Sequence, residues 1–266
     1  IVMEEEYLKS VKELLYQVQH APELKSRMQA ITSLGENEGK EVLLAALHDP
    51  YFKVRNMALE RLSDFSLSKK ELAQVEKLAT SDPSNIAKSA AIWVLSSSKE
   101  NKRYTALYEK ALTTPSGAVK NAALNAIAHT NPKRAKDFLE KADPKELEID
   151  QLAGLTGVIA DNKMTQYLPT LMPYLVNYPF LEEDNPEIAA DFKKAYLWAM
   201  SLDNKNLVEQ MQKAYKDFTQ EENGDKAKQA LWKVIDEGIA QKKKLPDTAT
   251  IKEQIKMLEE LKSKIR

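Results

Sequence analysis

"DPYFKVRNMALERL", residues 49–62, is the stretch from which the fold can be read. Asp49-Pro50 opens it, Val54-Arg55 follows after three variable positions, Ala58-Leu59 comes next, and Leu62 closes it. The phrase returns along the chain. Pro50 is matched by Pro83 after 33 residues and by Pro115 after a further 32. In that register Val54 falls with Ala87 and Val119, and Arg55 with Lys88 and Lys120. Ala58 falls with Ala91 and Ala123, Leu59 with Ile92 and Leu124, and Leu62 with Leu95 and Ile127. Going back 28 residues, Pro22 heads "PELKSRMQAITSL", which puts Arg27, Ala30, Ile31 and Leu34 in the same columns. Four copies with a period near 30 are the signature of a helical solenoid.

Each part of the phrase has a physical job in such a stack. Proline fixes φ and lacks an N–H that the first helical turn leaves unpaired anyway, so it is expected to start the second helix of each pair. Asp49 and Asp82 precede it at an expected N-cap position. The small Ala58, Ala91 and Ala123 let neighbouring helices approach to about 8–10 Å. The Leu59 and Leu62 columns supply a buried stripe that no single pair of helices covers alone. Elsewhere, apolar residues recur at helical spacing, as in "ELAQVEKLAT" (71–80) and "NKRYTALYEKAL" (101–112), and glycine is scarce, with 7 in the chain. The expected fold class is all-α, an α-α superhelix that is irregular in its second half.

The phrase resembles the HEAT/armadillo class of α-solenoid repeats, whose second helices open with Asp-Pro and carry Val-Arg followed by Ala-Leu. The resemblance covers about 20–130. It departs at Ala21 and Thr114, where Asp is missing, and at Ser26 and Ala87, where Val is missing. It implies a single α-solenoid domain over 1–266, with regular repeats over 20–130 and irregular helical repeats over 131–266. The second half reads as amphipathic helices over 132–142, 146–160, 186–201, 206–218 and 225–240. A final helix over 250–266, with Ile251, Ile255, Leu258, Leu261 and Ile265 on one face, is expected to cap the stack. Between them "MPYLVNYPFLEEDNPE" (172–187), with three prolines, reads as the longest irregular stretch and a place for a bend.

Composition excludes several classes of function. At 266 residues, with 43% hydrophobic and 30% charged, the chain is an ordinary globular one able to bury a core. Lys+Arg 39 against Asp+Glu 40 gives a net charge of -1, so no nucleic-acid partner is expected. The absence of cysteine excludes disulfides, thiolate zinc sites, iron–sulfur ligation and cysteine nucleophiles. No apolar run approaches ~18 residues, so no membrane partner is expected and the chain reads as soluble, cytoplasmic or periplasmic. The start at Ile1 reads as a cut inside a longer polypeptide, with a processed N-terminus as the alternative.

The candidate chemistry is sparse. His20 and His48 share a column just before the turn, where an imidazole is favoured at a helix C-terminus, and His129 has no ligand motif around it. Repeats about 8–10 Å apart hold His20 and His48 too far apart to share a metal unaided. No catalytic, cofactor or metal residue is expected. Arg27, Arg55, Lys88 and Lys120 form a basic column. Arg55 and Lys88 are expected to pair with Asp49 and Asp82 of the turns that precede them, as a structural ladder. Arg27 and Lys120 lack that Asp and are candidates to contact an acidic peptide or partner. Trp93 shares its column with polar Thr32, Glu60 and Asn125, so it either meets a partner on the concave surface or packs under a neighbouring loop. Trp198 and Trp232 read as core. Glu182, Glu183, Asp184 and Glu187 read as an acidic start to a helix.

Three functions compete on this architecture. The irregular α-solenoid, the internal start and the charged final helix resemble the C-terminal region of bacterial aminopeptidase N-like zinc metallopeptidases (gluzincins). That resemblance implies a non-catalytic domain shaping access to an active site, with zinc and catalysis in an absent upstream domain as its partner. The family's zinc ligands and Gly-x-Met-Glu-Asn motif match nothing in this chain. The second function is a stand-alone protein-interaction scaffold that holds a peptide or protein. The third is a HEAT-like DNA glycosylase or lyase, against which the neutral net charge counts.

Overall fold

The computed structural model describes residues 2–221 and 224–265, with side chains over 10–218 and 224–265, so Ile1 and Arg266 lie outside it. The described residues form helices and turns without a strand, and the fold is all-α. The chain divides into two compact units, Ile1–Asn131 and Pro132–Arg266.

The first unit is a stack of helix pairs: α1 (Val2–His20) with α2 (Leu24–Thr32), α3 (Lys40–Ala46) with α4 (Phe52–Leu62), α5 (Lys69–Ser81) with α6 (Asn85–Ser97), and α7 (Thr105–Ala111) with α8 (Gly117–Thr130). The second helices pack side by side in the order α2, α4, α6, α8. The repeat columns explain that packing. Ala30, Ala58, Ala91 and Ala123 are fully buried, and Leu59, Leu62, Ile92, Leu95, Leu124 and Ile127 fill the interior beside them.

The turns differ from expectation by two residues. Helix α4 begins at Phe52 rather than at Pro50, so the proline lies in the turn and Asp49 is not an N-cap. Its carboxylate instead accepts from the Tyr51 amide at 2.8 Å, and Asp82 accepts from the Ser84 amide at 2.8 Å. This i to i+2 closure is the Asx turn, a local bond that competes successfully with helix capping. Thr114 replaces Asp with a longer 3.5 Å bond to the Ser116 amide.

The left-handed Gly39, at φ 67°, opens α3, and a Cβ there would collide with Leu34. Arg61 ties the neighbouring loop down by donating to the carbonyls of Ile31, Leu34 and Gly35 at 2.8, 3.1 and 2.6 Å, which satisfies the open end of α2.

The second unit comprises α9 (Pro132–Leu139), α10 (Ile149–Ala153), α11 (Thr156–Asp161), α12 (Leu168–Leu175), α13 (Tyr178–Leu181), α14 (Pro186–Met200), α15 (Lys205–Glu221), α16 (Asp225–Lys242) and α17 (Ala249–Lys264). Two expectations fail here. The single helix over 146–160 is two short ones, broken at Gly154 and Leu155. The stretch 172–187 is largely helical, because Pro169 and Pro179 sit in the first turns of α12 and α13, where no N–H is missed. Pro173 removes only one bond inside the short α12. Asn185 caps α14 through the Ile188 amide at 3.4 Å, with Pro186 in the first turn, so the acidic stretch does lead into a helix start.

Four tyrosines are built into this second core among its aliphatic side chains. Tyr167, Tyr178, Tyr196 and Tyr215 are all within 1% of full burial. Where α16 crosses α14, Gly238 leaves room for Tyr196, whose hydroxyl donates to the Val234 carbonyl; a Cβ at 238 would lie 2.5 Å from that hydroxyl.

Lys242 is the unusual member of this core. It sits on the buried stripe of α16, three residues beyond Ile239 and seven beyond Ile235, and is itself fully buried. Its ammonium donates to the Leu202 carbonyl, beside Asp203, which accepts from Gln254 at 3.0 Å. Burial pulls its pKa down to about 8, against the opposing attraction of Asp203. Below that value both folded and unfolded chains carry the charge, and the folded state bears the full desolvation cost. Between about pH 8 and the ordinary lysine value near 10.4 the unfolded chain binds the extra proton, so stability rises with pH. Relative to Lys242→Met, the wild type is therefore expected to gain on the order of 3 kcal/mol across that window. Urea unfolding at the two ends of the window measures it, and a flat difference would show that the burial cost is absent.

Candidate functional site

The basic column of the first unit is a ladder, but it runs in the opposite direction from the expected one. Arg55 does not pair with the carboxylate of its own turn. It reaches forward to Asp82, with Nε and Nη2 on the two carboxylate oxygens at 2.7 Å each. Its remaining Nη1 donates back to the carbonyls of Asp49 and Pro50 at 2.8 and 3.0 Å. Arg27 repeats the geometry one step earlier, forking onto Asp49 at 2.6 and 3.3 Å and donating to the carbonyls of Ala21 and Pro22.

The Asx turn explains the direction. With one carboxylate oxygen on the i+2 amide, Asp49 and Asp82 are oriented toward the helix of the preceding repeat, and the planar guanidinium matches a carboxylate two-pronged. Burial pushes the Asp82 carboxyl up, but hydrogen bonds from Arg55 and the Ser84 amide outweigh it and hold the group below its ordinary value. The hydrogen bonds that Arg55 donates to Asp82 raise the guanidinium above its ordinary value, against the opposing effect of burial.

Arg27 is not the free cation that the missing Asp at 21 suggested: its side chain is only 14% exposed and is paired with Asp49. The missing Asp at position 21 is immaterial, because the acceptor comes from the next repeat. Lys88 contributes charge near Asp82, but no ion pair fixes it among the described residues; Thr114 offers it no carboxylate. Lys120 is half-buried on α8, likewise without an ion pair among the described residues.

Trp93 is not covered by a loop. It is 45% exposed on α6, and Ile86, seven residues earlier on the same stripe, is 51% exposed. The floor between them is low: Ser89 and Ala90 lie there, and the Ser89 hydroxyl is turned inward onto the Ile86 carbonyl at 2.8 Å. Beyond Trp93, Ser96 and Ser97 both donate to its carbonyl at 2.9 and 3.0 Å. The neighbouring helices carry polar groups at the equivalent columns. On α4 Lys53 is exposed and Asn56 donates to Glu60 at 2.7 Å; on α8 Asn125 donates to the Asn121 carbonyl at 2.8 Å. The result is two apolar knobs above a small-residue floor.

A model of HEAT repeats matches residues 11–96, a span running from α1 through α6. These repeats are HEAT-like. The match ends with the helix that carries Trp93, and the forward Arg–Asp ladder lies wholly inside it. A search of curated proteins found no match. Among solved structures, the X-ray structure of YibA from Escherichia coli is 15% identical, covers 95% of each chain and has a TM-score of 0.46.

The remaining candidates separate into paired and exposed groups. His48 contacts the Gln74 amide at 3.2 Å and His20 stacks against Tyr16, and no cluster of three metal-ligating side chains occurs among the described residues. Glu182 and Glu183 pair with Lys233 and Lys226. Trp198 is core, at 8% exposure. Trp232 is not core. It is 37% exposed at an open groove of about 480 Å³ with Lys228, Glu259, Lys262, Ser263 and Ile265 around it, and its Nε1 donates to the Ile265 carbonyl. No helix of the described chain is long and apolar enough to cross a membrane.

Proposed function

We propose that this chain is a protein-interaction scaffold whose first unit engages a partner through the α6 stripe of Ile86 and Trp93. The observation that supports it is the exposure of a tryptophan and an isoleucine two turns apart on one helix. Large exposed apolar groups lose free energy to water, and tryptophan is the residue type that most often dominates binding at an interface. The Arg55–Asp82 rung ties α4 to the turn that leads into α6, so little ordering cost falls on the scaffold when a partner docks.

An accessory domain beside a zinc aminopeptidase remains the second functional proposal. It rests on overall resemblance and draws on no residue of the described surface, whereas a free aromatic on a rigid face is what a scaffold needs. The scaffold reading is therefore preferred.

Trp93→Ala tests it. Because nearly half the side chain is exposed, the variant is expected to fold with a thermal midpoint close to wild type, yet to lose the proteins that the wild-type chain retains from a cell extract, read by quantitative mass spectrometry. Equal retention by both chains would overturn the proposal.

A further inference from the structure

We infer that α17 is a proton-linked latch: it opens before the rest of the second unit unfolds, and uptake of a proton by Lys242 favours its release. None of the residues involved belongs to the α6 stripe.

Two apolar stripes are interrupted at one joint. Helix α17 seats Ile251 and Leu258 in the core, and between them on the same face stands Gln254, also fully buried. Helix α16 seats Ile235 and Ile239, and its stripe ends on the buried Lys242. The two polar side chains meet adjoining residues of the turn between α14 and α15. Lys242 donates to the Leu202 carbonyl, and Gln254 donates to the Asp203 carboxylate at 3.0 Å. The joint is only partly satisfied. The Gln254 Oε1 is buried with no hydrogen-bond partner among the described residues, and of the three N–H groups of an ammonium Leu202 engages one. A buried amide oxygen and a buried charge left in that condition cost the packed state free energy that apolar side chains of the same size would not.

That cost falls on α17. Its packing partners are α15 and α16, and its further side-chain ties lie at the rim, where water weakens them. Lys205 reaches Glu253 at 3.1 Å, Lys262 reaches Asp236 at 2.6 Å, and the Trp232 Nε1 donates to the Ile265 carbonyl at 3.2 Å. Helix α14, by contrast, packs on α11, α12, α13, α15 and α16 and buries Phe192, Tyr196 and Trp198. A helix with two partners and a half-satisfied polar joint beneath it is the element whose local opening costs least.

Release of α17 takes Gln254 away from the turn and lets water reach the Lys242 amine, which then returns to the ordinary lysine value near 10.4. In the closed form burial holds it at about 8. Between those values the open form binds the extra proton, so release becomes easier as pH falls through the window and levels off below about pH 8. The neighbouring charges do not produce this response. Asp203 attracts the ammonium from the turn, Lys205 and Glu253 pair with each other across α15 and α17, and Lys252 pairs with Asp247. Lys243 and Lys244 are exposed at the end of α16, and the last turn of α14 carries no ionisable side chain. Carboxylates and exposed amines keep one charge from pH 7 to 9, which leaves Lys242 as the group that titrates.

Peptide-resolved amide hydrogen exchange on the full chain at about pH 7 and pH 9, with rates referred to those of the unfolded chain at the same pH, is the test. The amides of α17 are expected to be less protected than those of α14 at both values, and about tenfold more protected at the higher pH than at the lower. In Lys242→Met, whose side chain fills the stripe without a charge, α17 should be better protected at neutral pH and show no change between the two conditions. Protection of α17 equal to that of α14 overturns the separate opening. Wild-type protection that does not change with pH overturns the proton linkage, whether or not the variant folds, and a pH response that survives in Lys242→Met assigns the proton to another group and overturns it equally.

Discussion

Arg55→Ala is expected to remove about 3–5 kcal/mol of unfolding free energy. The side chains of Arg55 and Asp82 are 8% and 1% exposed, so deleting the guanidinium strands a carboxylate away from water and uncovers the carbonyls of Asp49 and Pro50. Arg27→Ala breaks the same kind of bond at a more exposed position and should cost less. Arg55→Lys should recover only a fraction, since an ammonium cannot fork onto the carboxylate while also reaching back to two carbonyls. The double variant Arg55→Met, Asp82→Asn should recover more, because Asn keeps the bond to the Ser84 amide without a buried charge.

The pH dependence gives an independent check. The Asp82 carboxyl is held below its unfolded value, so its contribution is present above about pH 4 and is lost as pH falls through the folded value. The gap between wild type and Arg55→Ala should therefore narrow in acid. Urea unfolding of the four variants measures all of this; a loss below about 1 kcal/mol for Arg55→Ala would show the pair to be solvated rather than structural.

Gly238→Ala should destabilise the second unit by about 2–4 kcal/mol, although the same change in an exposed helix gains about 1 kcal/mol. The new methyl would lie 2.5 Å from the Tyr196 hydroxyl and 3.4 Å from the Met200 sulfur, and Tyr196 is fully buried with no room to withdraw. Either the ring moves and its bond to the Val234 carbonyl is lost, or α16 lifts from α14. Tyr196→Phe removes the oxygen that the methyl strikes, so adding it to Gly238→Ala should restore part of the loss. Two additive losses in that cycle would place the strain elsewhere.

The local parts of the architecture were legible in the sequence, and the parts that depend on meeting another segment were not. The columns of Ala58 and Leu59 announced their burial because helical spacing is a property of one stretch of chain. The direction of the Arg ladder was not announced, since Arg55 is 6 residues from Asp49 and 27 from Asp82, and only the Asx turn aims the more distant carboxylate at it. Arg61 was missed, yet its column holds Ser33, Val94 and Ala126, and a lone cation there is a signal that it reaches out to a neighbour. Lys242 gave a similar sign by interrupting an apolar stripe. Trp232 misled because periodicity says which face a residue occupies, not whether the face extends far enough to cover it. In the candidate site, Trp93 stood out by column, but its exposure and its partnership with Ile86 required the packed helices.

The forward reach of each arginine gives the first unit a polarity. The α3–α4 repeat supplies an acceptor, Asp49, to the one before it and a donor, Arg55, to the one after it, in the manner of a head-to-tail association. An internal repeat can in principle be duplicated or deleted as a block with every joint remade. The two ends are different: Ala21 offers no carboxylate at the first turn, while Lys88 and Thr114 present a mismatched donor and acceptor at the last. Chain growth by repeat duplication is thus open in the middle of this stack and closed at both of its margins.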